Sequence, residues 1–159
     1  MFREMRRKDR LMSDEDARAL LAKADHGVLA VAGDDDYPYG VPVSFAFVEN
    51  RIIFHCAKTG HKLDALKRNP KCSFTIIAND DIAPSEFGTY FSSVIAFGKA
   101  RILTDEKEIY DEHMHIIKKY SGDFIPQGID YFEKMKQATS VVVIDIEHLT
   151  GKAKVRAMG

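Results

Sequence analysis

The sequence predicts an α+β domain, mainly β with inserted helices, in which six antiparallel strands close into a small barrel. Three observations carry this reading. Short β-branched and apolar runs recur along the chain, the turns between the first three are only a few residues long, and stretches with helical rather than alternating patterning interrupt them. Short turns favour antiparallel neighbours, and closing a sheet of this size removes its exposed edges.

The elements follow in order. Residues 1–12, including "MFREMRRKDR", form a basic lead-in interrupted by Glu4 and Asp9. It lacks the aromatic interleaving that single-strand binders use, so it reads as a solvated segment. Ser13 followed by Asp14, Glu15 and Asp16 is a hydroxyl N-cap with carboxylates in the first helical turn. Leu20, Leu21 and Ala24 then share a face, and Gly27 is expected to end the helix. The runs "GVLAVA", "YGVPVSFAFV" and "RIIFHCA", separated by "GDDD" and "EN", are expected to be antiparallel neighbours. Pro42 cannot donate to a ladder, so it marks an edge or irregular position.

A helix opens after Gly60 and stops at Asn69-Pro70. The strand run "KCSFTIIA" follows, then a polar loop with Pro84 and Gly88, then "YFSSVIAFGKARIL". A helical insertion at about 105–137 starts with a helix over 105–120, where Ile109, Met114, Ile116 and Ile117 make a partial apolar stripe, and ends with a shorter helix. The last strand is "SVVVIDIE". With no repeat, low-complexity tract or linker, residues 1–159 read as one domain.

Composition bounds the partners. At 45% hydrophobic and 30% charged, 159 residues can bury a sizeable core. Lys plus Arg number 23 against 24 Asp plus Glu, a net charge of -1, so no global field draws the chain to nucleic acid or an anionic membrane. Anion recognition must then be local. No segment is long enough to span a membrane. Cys56 and Cys72 each sit in an apolar strand-like run and no secretory h-region is found, so a reducing, cytoplasmic setting is expected.

The stretch "IIFHCAKTGHKLDALKRNP" concentrates chemistry at one strand-to-helix corner. A metal site is disfavoured, because His55 and Cys56 are adjacent on a strand and point to opposite faces, and neither cysteine belongs to a C-x-x-C pair. His113 and His115 lie two residues apart on a helix, far round its axis from one another, and are expected to be solvent-facing or half-buried. A thiol nucleophile at Cys56 would need a base in hydrogen-bond reach, and a packed thiol is the default. Phosphate accounts for more of the residues: a helix opening after Gly60 offers unpaired amides, with Lys58, His61 and Lys62 adding charge. The string matches neither G-x-x-x-x-G-K-[ST] nor G-x-G-x-x-G, so a single phosphate on a smaller ligand remains, against the alternative of an exposed basic helix face.

Taken with its flanks, the corner resembles a known family. The runs "DDDYPYGVPVSFAF", "IIFHCAKTGHKLDALKRNPKCSF", "SVIAFGKARIL" and "EHLTGK", with the opening "REMRRKDR", are similar to the nitroimidazole-resistance branch of the pyridoxamine 5'-phosphate oxidase-like flavoproteins. The resemblance spans about residues 3–152. It implies an FMN-binding split β-barrel homodimer with FMN at the subunit interface. By the same resemblance the phosphate sits against His55, Cys56, Ala57, Lys58, Gly60, His61 and Lys62, and the flavin ring lies along Pro42, Val43 and Ser44. The partner subunit contributes Ser92, Ser93 and Val94.

The implied activity is an FMN-dependent oxidoreductase that passes electrons from a reduced donor, NADH or NADPH, to a small nitroaromatic-like acceptor. The alternatives are a non-catalytic flavin- or haem-binding protein on the same barrel, and a pyridoxamine 5'-phosphate oxidase relative. Two departures weigh against vitamin B6 oxidation: no lysine or arginine lies between Tyr37 and Asn50, and the ending "HLTGKAKVRAMG" lacks the family's C-terminal arginine motif. No residue is assigned as an essential acid or base. A place near the ring for Tyr90, Phe91 and His148 is set against the commoner states of such residues, core packing for a strand aromatic and a capped or partly exposed strand end for His148.

Overall fold

A computed structural model describes residues 1–156 of the chain. The last three residues of the ending "HLTGKAKVRAMG" lie outside the described residues. The elements are α1 (Asp14–Lys23), β1 (His26–Ala32), β2 (Pro38–Ser44), β3 (Ala46–Val48), β4 (Arg51–Ala57), α2 (His61–Arg68), β5 (Lys71–Ala83), β6 (Gly88–Ile102), α3 (Glu106–Tyr120), α4 (Ile125–Met135) and β7 (Thr139–Lys154). The fold class is the expected α+β barrel, with one antiparallel sheet ordered β2-β1-β5-β6-β7-β4-β3.

The sheet carries seven strands, not six. The run "YGVPVSFAFV" breaks at Phe45: Pro38–Ser44 pairs with β1, whereas Ala46–Val48 pairs with β4 at the other end of the sheet. The three early runs are therefore not all mutual neighbours. One residue, Phe45, links the two outermost strands and so draws the sheet into a barrel. Pro42 does lie on an edge strand, where its missing donor is tolerated.

Two further boundaries differ. α1 stops at Lys23, and Gly27 belongs to β1, where a Cβ would lie 2.4 Å from the Phe74 ring. That glycine is present for close packing, not as a helix stop. The polar loop around Pro84 and Gly88 is mostly strand, since β5 and β6 pair out to Ala83–Gly88 past an irregularity between Ile77 and Asn79. Residues 77–82 are exposed on both faces, so no alternation betrays this hairpin in the sequence.

Inside the barrel, Leu29, Phe45, Ile52, Phe54, Phe74, Ile76, Val94, Val142 and Ile144 are all but fully buried. Ala17 and Leu21 of α1 and Leu63 and Leu66 of α2 plug the same core. Burying each large side chain is worth about 1.5–3 kcal/mol. Outside the barrel a second cluster joins Ile116 of α3 to Ile53, Val141 and Val143. The helical insertion thus packs on the outer face of β4 and β7.

Candidate functional site

The site begins where a ladder ends. β3 pairs with β4 as Val48–Arg51, Phe47–Ile52 and Ala46–Ile53. Continued by two residues, that register would set Ser44 opposite His55. The ladder instead breaks at Phe45, and β2 pairs, among the described residues, with β1 alone. The facing edges of Pro42–Ser44 and His55–Ala57 therefore carry backbone groups without ladder partners, and such groups need other partners. This gap is the split in the barrel.

α3 fixes one end of the split. The Phe45 N–H donates to the Tyr120 hydroxyl at 2.9 Å, and the Phe45 carbonyl accepts from Lys119 Nζ at 2.9 Å. The Tyr120 hydroxyl also lies 2.8 Å from the Phe45 carbonyl and contacts the Asp25 carbonyl, and Lys119 donates to the Ala24 carbonyl. Burial lowers the Lys119 pKa and raises that of Tyr120. Two polar side chains are thereby committed to the break in the strand.

The corner lies at the other end. Gly60 has φ +132°, a left-handed conformation that favours glycine, and a Cβ there would meet nothing within 4 Å. α1 is capped by Ser13, which accepts from the Asp16 N–H at 3.0 Å, and α3 by Asp105, which accepts from the Glu108 N–H at 2.8 Å. α2 has no side-chain cap. Leu63 and Asp64 donate their amides to the Gly60 carbonyl, while those of His61 and Lys62 have no partner among the described residues. Lys62 forms no ion pair among the described residues, so the helix end keeps its positive field.

The neighbouring side chains divide between faces. Cys56 packs against the barrel core, while His55 faces α3. Burial pushes the Cys56 thiol up, with Lys62 acting against it, and takes Cys72 up to about 12. Neither thiol is a ready thiolate at neutral pH. His61 stacks on Tyr39 at 4.1 Å, with its Nε2 3.6 Å from Asp34. Lys58 turns to a separate cavity shared with Lys107, Tyr110 and Lys136. No cluster of three or more His, Cys, Asp or Glu suited to a metal ion occurs among the described residues.

Ser44 and His55 together open onto a cavity of about 380 Å³ between the sheet, α3 and α4. His113 lines it too, and here the sequence-based expectation needs correction. His113 is 7% exposed, stacked on Phe132 at 4.0 Å and 5.1 Å from the His55 ring. Burial, and secondarily His55, push its pKa down to about 4. Spacing along α3 could not reveal this, because the burying partners come from α4 and β4. His55 is likewise lowered by burial, so both imidazoles are neutral at pH 7.

Ser92, Ser93 and Val94 lie on β6, in the middle of the sheet and across the barrel from the split. Val94 is buried, and Ser93 shares its outward face with the exposed Ile95 and Phe97. Tyr90 stacks with cations, Lys154 at 4.7 Å and Arg156 at 4.6 Å, and His148 stacks on Phe2 at 4.8 Å. One chain therefore joins residues 42–44, 55–57 and 60–62 around the split but leaves residues 92–94 apart.

Residues 13–153 match the pyridoxamine 5'-phosphate oxidase family. The chain belongs to that family. Flavin binding, as FMN or FAD, is typical of it. An uncharacterized protein of Rhizobium meliloti is 27% identical over 152 residues, covering 91% of this chain and 94% of the relative. Among solved structures, a conserved hypothetical protein of Mycobacterium tuberculosis is similar with TM-score 0.81 at 18% identity over 98% of both chains. A protein of Bacteroides thetaiotaomicron proposed to act in 5-nitroimidazole antibiotic resistance gives TM-score 0.74 at 18% identity, over 90% of this chain and 86% of its own. A FAD and haem binding protein of Mycobacterium smegmatis gives 0.72 at 18%, over 92% and 74%. These structural likenesses establish the split-barrel fold.

Proposed function

We propose that the chain binds FMN along the split and, as a homodimer, transfers electrons from NADH or NADPH to a small organic acceptor, in the manner of nitroimidazole reductases. The observation that carries this reading is the uncapped start of α2 beside the split: open space at Gly60 and, among the described residues, no partner for the His61 and Lys62 amides or the Lys62 ammonium. These residues fit a terminal phosphate, which free helix-end amides and a lysine bind well.

In this reading Gly60, His61 and Lys62 hold the phosphate, while Lys58, turned to its separate cavity, takes no part in it. The free edges of Pro42, Val43 and Ser44 and of His55, Cys56 and Ala57 offer backbone hydrogen bonds to a flat heterocycle between them. FMN, when bound, supplies the hydride and single-electron chemistry. The chain's own work is to bind, orient and exclude water: Tyr120 and Lys119 seal one end of the split, and the neutral His55 flanks its outer face.

Dimerisation is supported by an apolar outer face. Val28, Ile77, Ile95 and Phe97 are 42%, 74%, 38% and 38% exposed, and patches of this kind mark docking surfaces. Ser93 belongs to that face. A second copy seated there would bring residues 92–94 to its own flavin, which one chain alone cannot do.

The similar structure proposed to be a 5-nitroimidazole antibiotic resistance protein favours reduction, whereas the similar FAD and haem binding protein favours a carrier. One experiment separates the two. The purified protein is reduced with NADH or NADPH under nitrogen and a 5-nitroimidazole is added. An enzyme reoxidises faster than the same concentration of free FMN and consumes the nitro compound; reoxidation at the free-flavin rate contradicts enzymatic turnover.

A further inference from the structure

We propose that the cavity between α3, α4 and the split binds an uncharged aromatic carbonyl compound, and that His113 recognises its carbonyl oxygen by donating a hydrogen bond. The lining points away from charge. Ile116, Ile117, Tyr131, Phe132 and Met135 supply apolar walls, and no Asp, Glu, Lys or Arg among the described residues lines the cavity. A volume of about 380 Å³ suits one substituted ring. An ionised ligand would lose its hydration there without gaining a counter-charge.

His113 makes the cavity selective. Its ring is held by stacking on Phe132 and by His55, not by hydrogen bonds. Nδ1 is sealed from solvent with no partner among the described residues. A neutral imidazole carries one N–H and one bare nitrogen. A proton on the sealed Nδ1 would have no acceptor, so we assign it to Nε2. Nε2 is not sealed and has no protein acceptor among the described residues. It is therefore a donor left to whatever enters the cavity, and a carbonyl oxygen on an aromatic ring is its simplest complement.

The identification of this cavity as the electron-acceptor site rests on the flavin reading, but its ligand chemistry does not. The test uses three isosteric probes on the purified protein: acetophenone, its alkene analogue α-methylstyrene, and the anion benzoate. Binding is followed through the imidazole ¹⁵N resonances, with His113 assigned by their loss in His113→Phe. Acetophenone is expected to shift the His113 Nε2 resonance and to bind about 10-fold or more tighter than either analogue, the scale of one well-made hydrogen bond. His113→Phe keeps the stacking on Phe132 and should bind acetophenone and α-methylstyrene equally, with its flavin content unchanged.

Equal binding of the three probes to the unaltered protein, or no response at His113, overturns the proposal. Release of flavin by acetophenone also overturns it, by giving the cavity to the flavin ring itself. A protein without flavin that still prefers acetophenone keeps this site and removes the reductase reading. A flavin-loaded protein without that preference removes only this site.

Discussion

The Tyr120 hydroxyl accepts the backbone N–H of Phe45 at 2.9 Å, across 75 residues of sequence. Phe45 is the single residue between the two outermost strands, so this bond satisfies the amide that the barrel's split would otherwise leave without a ladder partner. The end of α3 thereby sets where β2 leaves β4, and with it the width of the gap beside Ser44 and His55.

Tyr120→Phe should cost about 1–3 kcal/mol, the penalty of a buried donor left without its partner. For a chain of this size, that is a fall in Tm of several degrees, at about 2–4 °C per kcal/mol. Urea unfolding followed by circular dichroism checks it. Phe45→Ala, which empties a fully buried site against Phe74, should cost about 3–5 kcal/mol in the same assay.

Gly27→Ala tests close packing between β1 and β5. The added Cβ would lie 2.4 Å from the Phe74 ring and 2.8 Å from the Thr75 carbonyl, and backbone at that distance cannot yield cheaply. A loss of about 1–3 kcal/mol is expected in urea unfolding, as for other overpacked sites. Gly60→Ala meets no such neighbour but is strained by its positive φ, so its loss should be smaller, about 1 kcal/mol.

His113 makes stability depend on pH. Its folded pKa of about 4 lies below the ordinary imidazole value of 6.5, so between those values the unfolded chain binds more protons. Stability is full above about pH 6.5 and falls as the pH drops toward 4, by at most about 3 kcal/mol from this group. His113→Phe should flatten that part of the profile. Unfolding midpoints at pH 7.5 and pH 5 for both proteins provide the check; equal slopes would show that His113 does not drive the change.

Much of this architecture was legible in the sequence. The Ser13 cap, the alternating apolar runs and the stop at Asn69-Pro70 are local signals, and each corresponds to an element. Contacts between distant segments were not legible. The break at Phe45 depends on Tyr120 and Lys119, the burial of His113 on Phe132, and the role of Gly27 on Phe74. The parts of the proposed anion site, Gly60 and the helix that opens after it with Lys62, were readable because they are contiguous. The cavity behind the split was not, because Ser44, His55, His113 and Phe132 come from four elements.

Lys62 should matter for flavin retention, whereas Lys67, in the last turn of the same helix, should not. Lys62→Ala is expected to weaken FMN binding about 10-fold, and more steeply at low salt, as for a partly exposed charge on phosphate. Fluorescence quenching of titrated FMN measures both variants, and equal loss in the two would remove Lys62 from the phosphate site.

The central claim, that the split and its α2 corner hold FMN, is tested most directly by the visible absorption spectrum of the freshly purified protein, with mass identification of whatever heat releases. Two flavin bands and the mass of FMN are the predicted result. A colourless protein that also fails to quench added FMN would contradict it, and a single intense violet band would assign the barrel to haem.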